Sequence, residues 1–128
     1  MRCRRVDECM SMNVATIDLE STVEEACKIM GEKHIGSLVV IREGKPYGLF
    51  TERDLLSKII LKGFDIKNVK VKDFTSAPIV TINPDTSIRE AARIMCEMHI
   101  RRLPVIDSKG RLAGIFTSAD LAGAFTGR

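Results

Sequence analysis

The sequence predicts an α/β (α+β) fold made of two β-α-β-β-α halves, related by a pseudo-twofold axis and packed sheet to sheet. Three observations predict it. The stretch GLFTERDL, Gly48 to Leu55, returns as GIFTSADL, Gly114 to Leu121. The likeness extends upstream, where Val14–Ile41 lies over Ile79–Ile106 with Thr16/Thr81, Ile17/Ile82, Glu25/Glu90, Ala26/Ala91, Ile29/Ile94, Met30/Met95 and His34/His99 among the identities. Each copy also runs through the same order of hydrophobic periods, β-like, helical, β-like twice, then helical again. A half of this size, folded alone, buries only about 60% of the surface its unfolded chain exposes. Packing one half on the other is the expected remedy.

The elements follow in order. NVATI and PIVTI are short β-rich runs. Thr22-x-x-Glu25 and Ser87-x-x-Glu90 then have the form of capping boxes, in which hydroxyl and carboxylate satisfy orphan amides at a helix start. Val23, Ala26, Cys27 and Met30 recur at helical spacing, as do Ile88, Ala91, Ala92 and Met95. SLVVI and LPVID read as buried strands, and EGKPYG and DSKGRLAG as turns. LFT and IFT are second short strands. A helix is expected from Glu52 to about Lys62, and a shorter one after Thr117. On this reading residues 1–62 form the first motif, 63–70 a linker and 71–128 the second motif.

Composition narrows the function. The 45% hydrophobic and 29% charged content is that of a globular domain. No Trp and one Tyr argue against an aromatic platform for single-stranded nucleic acid. A net charge of +3 is mild and fits an anionic small molecule as well as a polymer. No apolar run approaches the ~20 residues of a membrane span, and the basic start is not followed by an apolar stretch, so a cytoplasmic location is expected. Cys27 and Cys96 fall in the amphipathic helices and read as reduced core residues. The cysteines lack the close spacing of a zinc site, so no metal is expected. No nucleophile–base set or phosphate loop stands out, so an enzyme is not expected.

The repeated Gly-x-x-Thr-x-x-Asp has two readings. In one, Thr51 and Thr117 are helix N-caps, and Asp54 and Asp120 sit at the positive helix end. In the other, the same helix start receives phosphate, the Asp accepts from two ribose hydroxyls, and Gly48 and Gly114 leave room for a ligand. His34 and His99 read as ordinary late-helix residues.

The motif, the duplication and the element order together resemble a tandem pair of cystathionine-β-synthase-type (CBS) domains, a Bateman module. The resemblance covers about Arg5 to Phe125. It implies clefts for AMP, ADP, ATP or S-adenosylmethionine. By matching positions, one cleft would use Ser76, Pro78 and Ile79 with Thr51, Arg53 and Asp54, its phosphates lying near Arg101 and Arg102. The other would use Ser11, Met12 and Val14 with Thr117 and Asp120. There Gly36 and Ser37 stand in place of the arginines, and Ala119 in place of Arg53. The Asp54 cleft is therefore expected to bind more tightly. The resemblance implies a regulatory protein that senses adenine nucleotide, acts on a partner, and forms a flat homodimer through apolar helix surface that includes Leu55, Ile59 and Leu121. Two alternatives stay open: an oligomerisation or docking module with vestigial clefts, and a nucleic-acid regulator using Arg2, Arg4, Arg5 or the lysines from Lys58 to Lys72.

Overall fold

The computed structural model describes residues 3–75 and 79–126. It has mixed α and β structure in two compact units, and the units cut the chain differently from the repeat. One is contiguous, Ala15–Ile79; the other is split, Met1–Val14 with Val80–Arg128.

In the contiguous unit, β1 (Thr16–Asp18) leads to α1 (Val23–Lys33), β2 (Ser37–Arg42), β3 (Lys45–Thr51) and α2 (Glu52–Asp54), which continues as a π-helix over Leu55–Ile60. β1 pairs parallel to β2, with Ile17 opposite Val40. β2 pairs antiparallel to β3, with Leu38 opposite Phe50. In the split unit, α3 (Ile88–Met98) leads to β4 (Arg102–Ile106), β5 (Leu112–Thr117) and α4 (Ser118–Thr126). β4 and β5 form a hairpin with Leu103 opposite Phe116.

The strand expected over PIVTI is reduced to a single parallel bridge between Ile82 and Val105. Two prolines explain the loss. In the contiguous unit, Leu19 N–H donates to Ile41 and Val39 N–H donates to Ala15, both at 3.1 Å. The matching residues are Pro84 and Pro104, which have no N–H to give. Pro78 itself lies outside the described residues.

The helices begin as half of the expected capping box. Thr22 Oγ1 accepts from Glu25 N–H at 3.2 Å, and Ser87 Oγ from Glu90 N–H at 3.0 Å. Glu90 turns instead to Arg93, whose guanidinium holds its carboxyl below the ordinary range. Both helices end alike. His34 and His99 adopt left-handed backbone, at φ 53° and 55°, and the N–H groups of Ile35 and Ile100 return to Met30 and Met95. The histidines are thus exposed helix C-caps.

The cores repeat position by position. Ile17, Val23, Ala26, Met30, Leu38, Val40 and Phe50 are buried in one unit. Ile82, Ile88, Ala91, Met95, Leu103, Val105 and Phe116 are buried in the other. Ile29 and Ile94 each pack against the edge of their own core. Cys27 is half-buried, and burial pushes its thiol up; Cys96 is exposed, not in the core, because it lies on the outer face of α3. Ile59, expected at the surface, is fully buried. A π turn takes an extra residue, so the side chain that turns inward is Ile59, whereas in the α-helical α4 it is Ala124. Leu55 and Leu121 are half-buried, and the exposed large apolar side chains near them are Leu56, Ile60, Leu61 and Phe64 in one unit and Phe125 in the other.

The repeat also extends to the segments ahead of β1 and of the matching Ile82. The 3-10 turn Val6–Glu8 packs in the split unit, with Val6 N–H on Thr86 and Asp7 N–H on Pro84. The 3-10 turn Val71–Asp73 packs in the contiguous unit, with Val71 N–H on Ser21 and Lys72 N–H on Leu19. The residue ahead of each turn bridges to a helix cap, Arg5 to Ser87 and Lys70 to Thr22. Each motif's leading arm therefore completes the core of the other motif. Cys3 and Cys9, for which the sequence suggested no pairing, form a disulfide across the Val6–Glu8 turn.

Val6 and Val71 are both fully buried. Val6→Ala and Val71→Ala should each cost about 1.5–3 kcal/mol in chemical denaturation, against roughly 0.5 or less for a surface position.

The Glu8 carboxylate accepts from the N–H groups of Arg5 at 2.8 Å and Arg4 at 3.0 Å. These backbone donors, Arg5 first, hold it below the ordinary glutamate value of 4.5. A carboxylate with a depressed folded-state pKa stabilises above its unfolded value, and that contribution fades as the pH falls through the folded one. Amide exchange in residues 4–10 should thus accelerate on acidification below about pH 4.5 relative to Glu8→Gln, in which the linkage is absent.

Candidate functional site

The repeated Thr-x-x-Asp lies at a strand-to-helix junction in both units. β3 ends at Thr51 and α2 starts at Glu52; β5 ends at Thr117 and α4 starts at Ser118. The two junctions have the same bonds. Asp54 Oδ2 accepts from Thr51 N–H and Thr51 Oγ1–H, both at 3.0 Å, and Thr51 Oγ1 accepts from Asp54 N–H at 3.2 Å. Asp120 Oδ2 accepts from Thr117 N–H at 2.9 Å and Thr117 Oγ1–H at 3.0 Å, and the return bond from Asp120 N–H is 3.2 Å. The reciprocal capping box thus forms here, with Asp in the place usually held by Glu or Gln. A strand that turns directly into a helix brings the Asp close, and its shorter side chain then suffices.

One oxygen of each carboxylate is spent on the cap, which leaves the second. Asp54 is only 4% exposed, and its Oδ1 meets Lys58 Nζ at 2.9 Å. Asp120 is half-buried, and its Oδ1 has no side-chain partner among the described residues.

The surroundings differ between the junctions. In the split unit Ser11 lies against β5, exchanging two backbone hydrogen bonds of 2.9 Å with Ile115, two residues before Thr117. Met12 is 79% exposed and Val14 half-buried. Arg102 stands opposite Thr117 in the β4–β5 register, and the Arg101 carbonyl accepts from Ser118 N–H at 2.9 Å. Within its own unit, then, the arginine pair belongs to the Thr117–Asp120 junction. In the contiguous unit Ser37 stands opposite Thr51, and the Gly36 carbonyl accepts from Glu52 N–H at 3.0 Å. A Cβ on Gly36 would collide with the Glu52 carboxylate. The backbone of two arginines thus borders one junction, where Gly36, with the Glu52 carboxylate against it, and Ser37 border the other. Arg53 is exposed on α2, and its carbonyl accepts from Ser57 Oγ. Ile79 is half-buried and lies in no regular element. Ser76 and Pro78 lie outside the described residues.

Gly114 has a different role from the one its spacing suggested. A Cβ there would come within 2.8 Å of the Ser11 carbonyl and of Met10 Sδ. The space beside it holds the chain's own arm, and the glycine permits two backbones to approach. No group of three or more His, Cys, Asp or Glu side chains suited to a metal occurs among the described residues. No helix among them is long and apolar enough to cross a membrane.

These junctions, duplicated in two small mixed α/β units, define a CBS-type module. The CBS domain family model matches residues 6–61 and again 71–127, and the chain belongs to that family. A Methanopyrus kandleri protein is 37% identical over 122 residues, and this chain spans 62% of its length. The CBS domain-containing protein YhcV of Bacillus subtilis is 32% identical over 117 residues, covering 91% of this chain and 82% of that one. Among solved structures, CBSX2 in complex with AMP superposes with a TM-score of 0.83 at 27% identity, covering 98% of each chain.

Two glycines give opposite tests of the packing. Gly114→Ala should destabilise by about 1–3 kcal/mol, because backbone must shift to admit the methyl. Gly31→Ala, within α1 and with nothing inside 4 Å of its new Cβ, should stabilise by about 0.5–1 kcal/mol. Thermal melts of both variants check the contrast.

Proposed function

We propose that this protein is a regulatory CBS pair that binds adenine nucleotide, AMP, ADP or ATP, with a ribose held at the Thr–Asp junctions. The observation that carries the reading is the carboxylate itself. At both junctions one Asp oxygen closes the cap while the other faces away from it, so the group is oriented before any ligand arrives. An ionised carboxylate only accepts, which matches the paired hydroxyl donors of a ribose. The AMP complex of CBSX2 supports the choice of ligand. In the contiguous unit the contacts would come from Thr51, Arg53, Asp54 and Ile79, with Ser76 and Pro78. In the split unit they would come from Ser11, Met12, Val14, Thr117 and Asp120, with Arg101 and Arg102 available to phosphate.

Binding would order the junctions and their arms and so change what the module presents to a regulated partner protein. The run of exposed Leu56, Ile60, Leu61 and Phe64 favours self-association into a homodimer through this helix. The protein would act in the cytoplasm and carry out no reaction of its own.

Calorimetric titration with AMP, ADP and ATP, with S-adenosylmethionine as comparator, tests the reading. Asp120→Ala should weaken AMP at its own junction by about 10- to 150-fold, the loss of a hydrogen bond to a charged group. A cap with no ligand role predicts a lower melting temperature in Asp54→Ala and Asp120→Ala and no saturable heat in any form of the protein.

A further inference from the structure

The two junctions are alike in every bond of the cap and unlike in one. Lys58 Nζ lies 2.9 Å from Asp54 Oδ1, one helical turn away and across the change from α- to π-helix. The Asp54 side chain is only 6% exposed, whereas that of Lys58 is 47% exposed. The ammonium therefore reaches in from solvent to the single carboxylate oxygen that the cap leaves over. Four residues beyond Asp120 the chain has Ala124, fully buried in the core, and no cation can arrive by that route.

We infer that Lys58 is an internal competitor for the ligand hydroxyls at Asp54, and that it makes the two junctions unequal. The inference rests on the reading of the Thr–Asp junctions as ribose sites. A ribose hydroxyl must donate to Asp54 Oδ1, the atom that Lys58 already occupies. An ammonium is donor-only and is strongly hydrated, so its displacement returns it to water at modest cost. The cost is still a cost, and the ligand bears it at Asp54 and not at Asp120. The Asp120 junction thus offers a carboxylate oxygen that has no side-chain partner among the described residues, on the hairpin that begins at Arg101 and Arg102. The Asp54 junction offers a compensated one beside Glu52. This ranks Asp120 as the tighter ribose site and Asp54 as the weaker, the reverse of the order expected when the arginines are assigned to Asp54.

The substitution Lys58→Met tests this, because it keeps the stem and the helix preference while it removes the charge. AMP is titrated into the parent, into Asp120→Ala, and into Lys58→Met and Lys58→Arg made in the Asp120→Ala background. The background isolates the Asp54 junction. Lys58→Met should tighten AMP there by up to about 5-fold, the upper range of a partly exposed ion pair. Lys58→Arg, which keeps the cation, should leave affinity within about twofold of the background. Equal or weaker binding in Lys58→Met overturns the competitor role while the nucleotide reading stands. Absence of AMP binding in all four proteins, each shown folded by its melt, overturns both. Heat that appears only once Lys58 is replaced supports both.

Discussion

The three-centre exchange between a threonine and the aspartate three residues on is the interaction from which the rest of each unit is arranged. It joins the end of the hairpin to the start of the last helix with no intervening loop. The helix axis is thereby set relative to the sheet, and two amides of the first turn, Glu52 and Asp54 or Ser118 and Asp120, find partners within the protein. Burying an acidic side chain such as Asp54 is costly unless its oxygens are all engaged. Here the strand's own N–H, the threonine hydroxyl and Lys58 engage them. The junction is therefore a polar fixture inside an otherwise apolar unit, and its geometry does not wait on a ligand.

Around that fixture the cores are small, and neither is closed by its own motif. Val6 seals one and Val71 the other, each entering on a 3-10 turn that donates two backbone hydrogen bonds to the loop ahead of a helix. The first amides of the helices find partners in the same arms, Val23 on Val69 and Ile88 on Arg4. Orphan donors at a helix start ordinarily need a cap or solvent. In this chain backbone from the arm supplies part of that need. The exposed ion pairs of Glu20 with Lys70 and Lys72 fasten the same arm from outside, which is why the Glu20 carboxyl is held below its ordinary range, by Lys72 foremost.

Much of this was legible in the sequence because it depends on periodicity. The helical spacing of Val23, Ala26 and Met30 announced a buried face, and the same face is buried at Ile88, Ala91 and Met95. The Thr–Asp spacing announced a helix start, and the structure has one at each copy. What escaped was set by contacts between residues distant in sequence. Val6 and Val71 sit in charged surroundings, RRVDE and VKVKD, too short to carry a helical or strand period of their own; only the packing of the other motif buries them. Pro84 and Pro104 were visible, but their effect required knowing which N–H groups the matching strands use. The inward turn of Ile59 depends on a π-helix, and an insertion of that kind leaves no pattern in a short apolar run. Lys58 was read as one of several basic residues, although its position four after Asp54 was the available sign.

The division into a contiguous unit and a split one also gives the molecule a direction in time. Ala15–Ile79 emerges from synthesis as one stretch, with Val71 close behind the core it seals. The segment ending at Val14 precedes β5, on which Ser11 packs, by about a hundred residues; at roughly 5–20 residues per second that is an interval of several seconds. During it Val6, Cys3 and Cys9 are exposed on a free arm, and Cys3 and Cys9 are only six positions apart. The arm is thus made well before the hairpin it packs on, and it can be placed only once that hairpin exists.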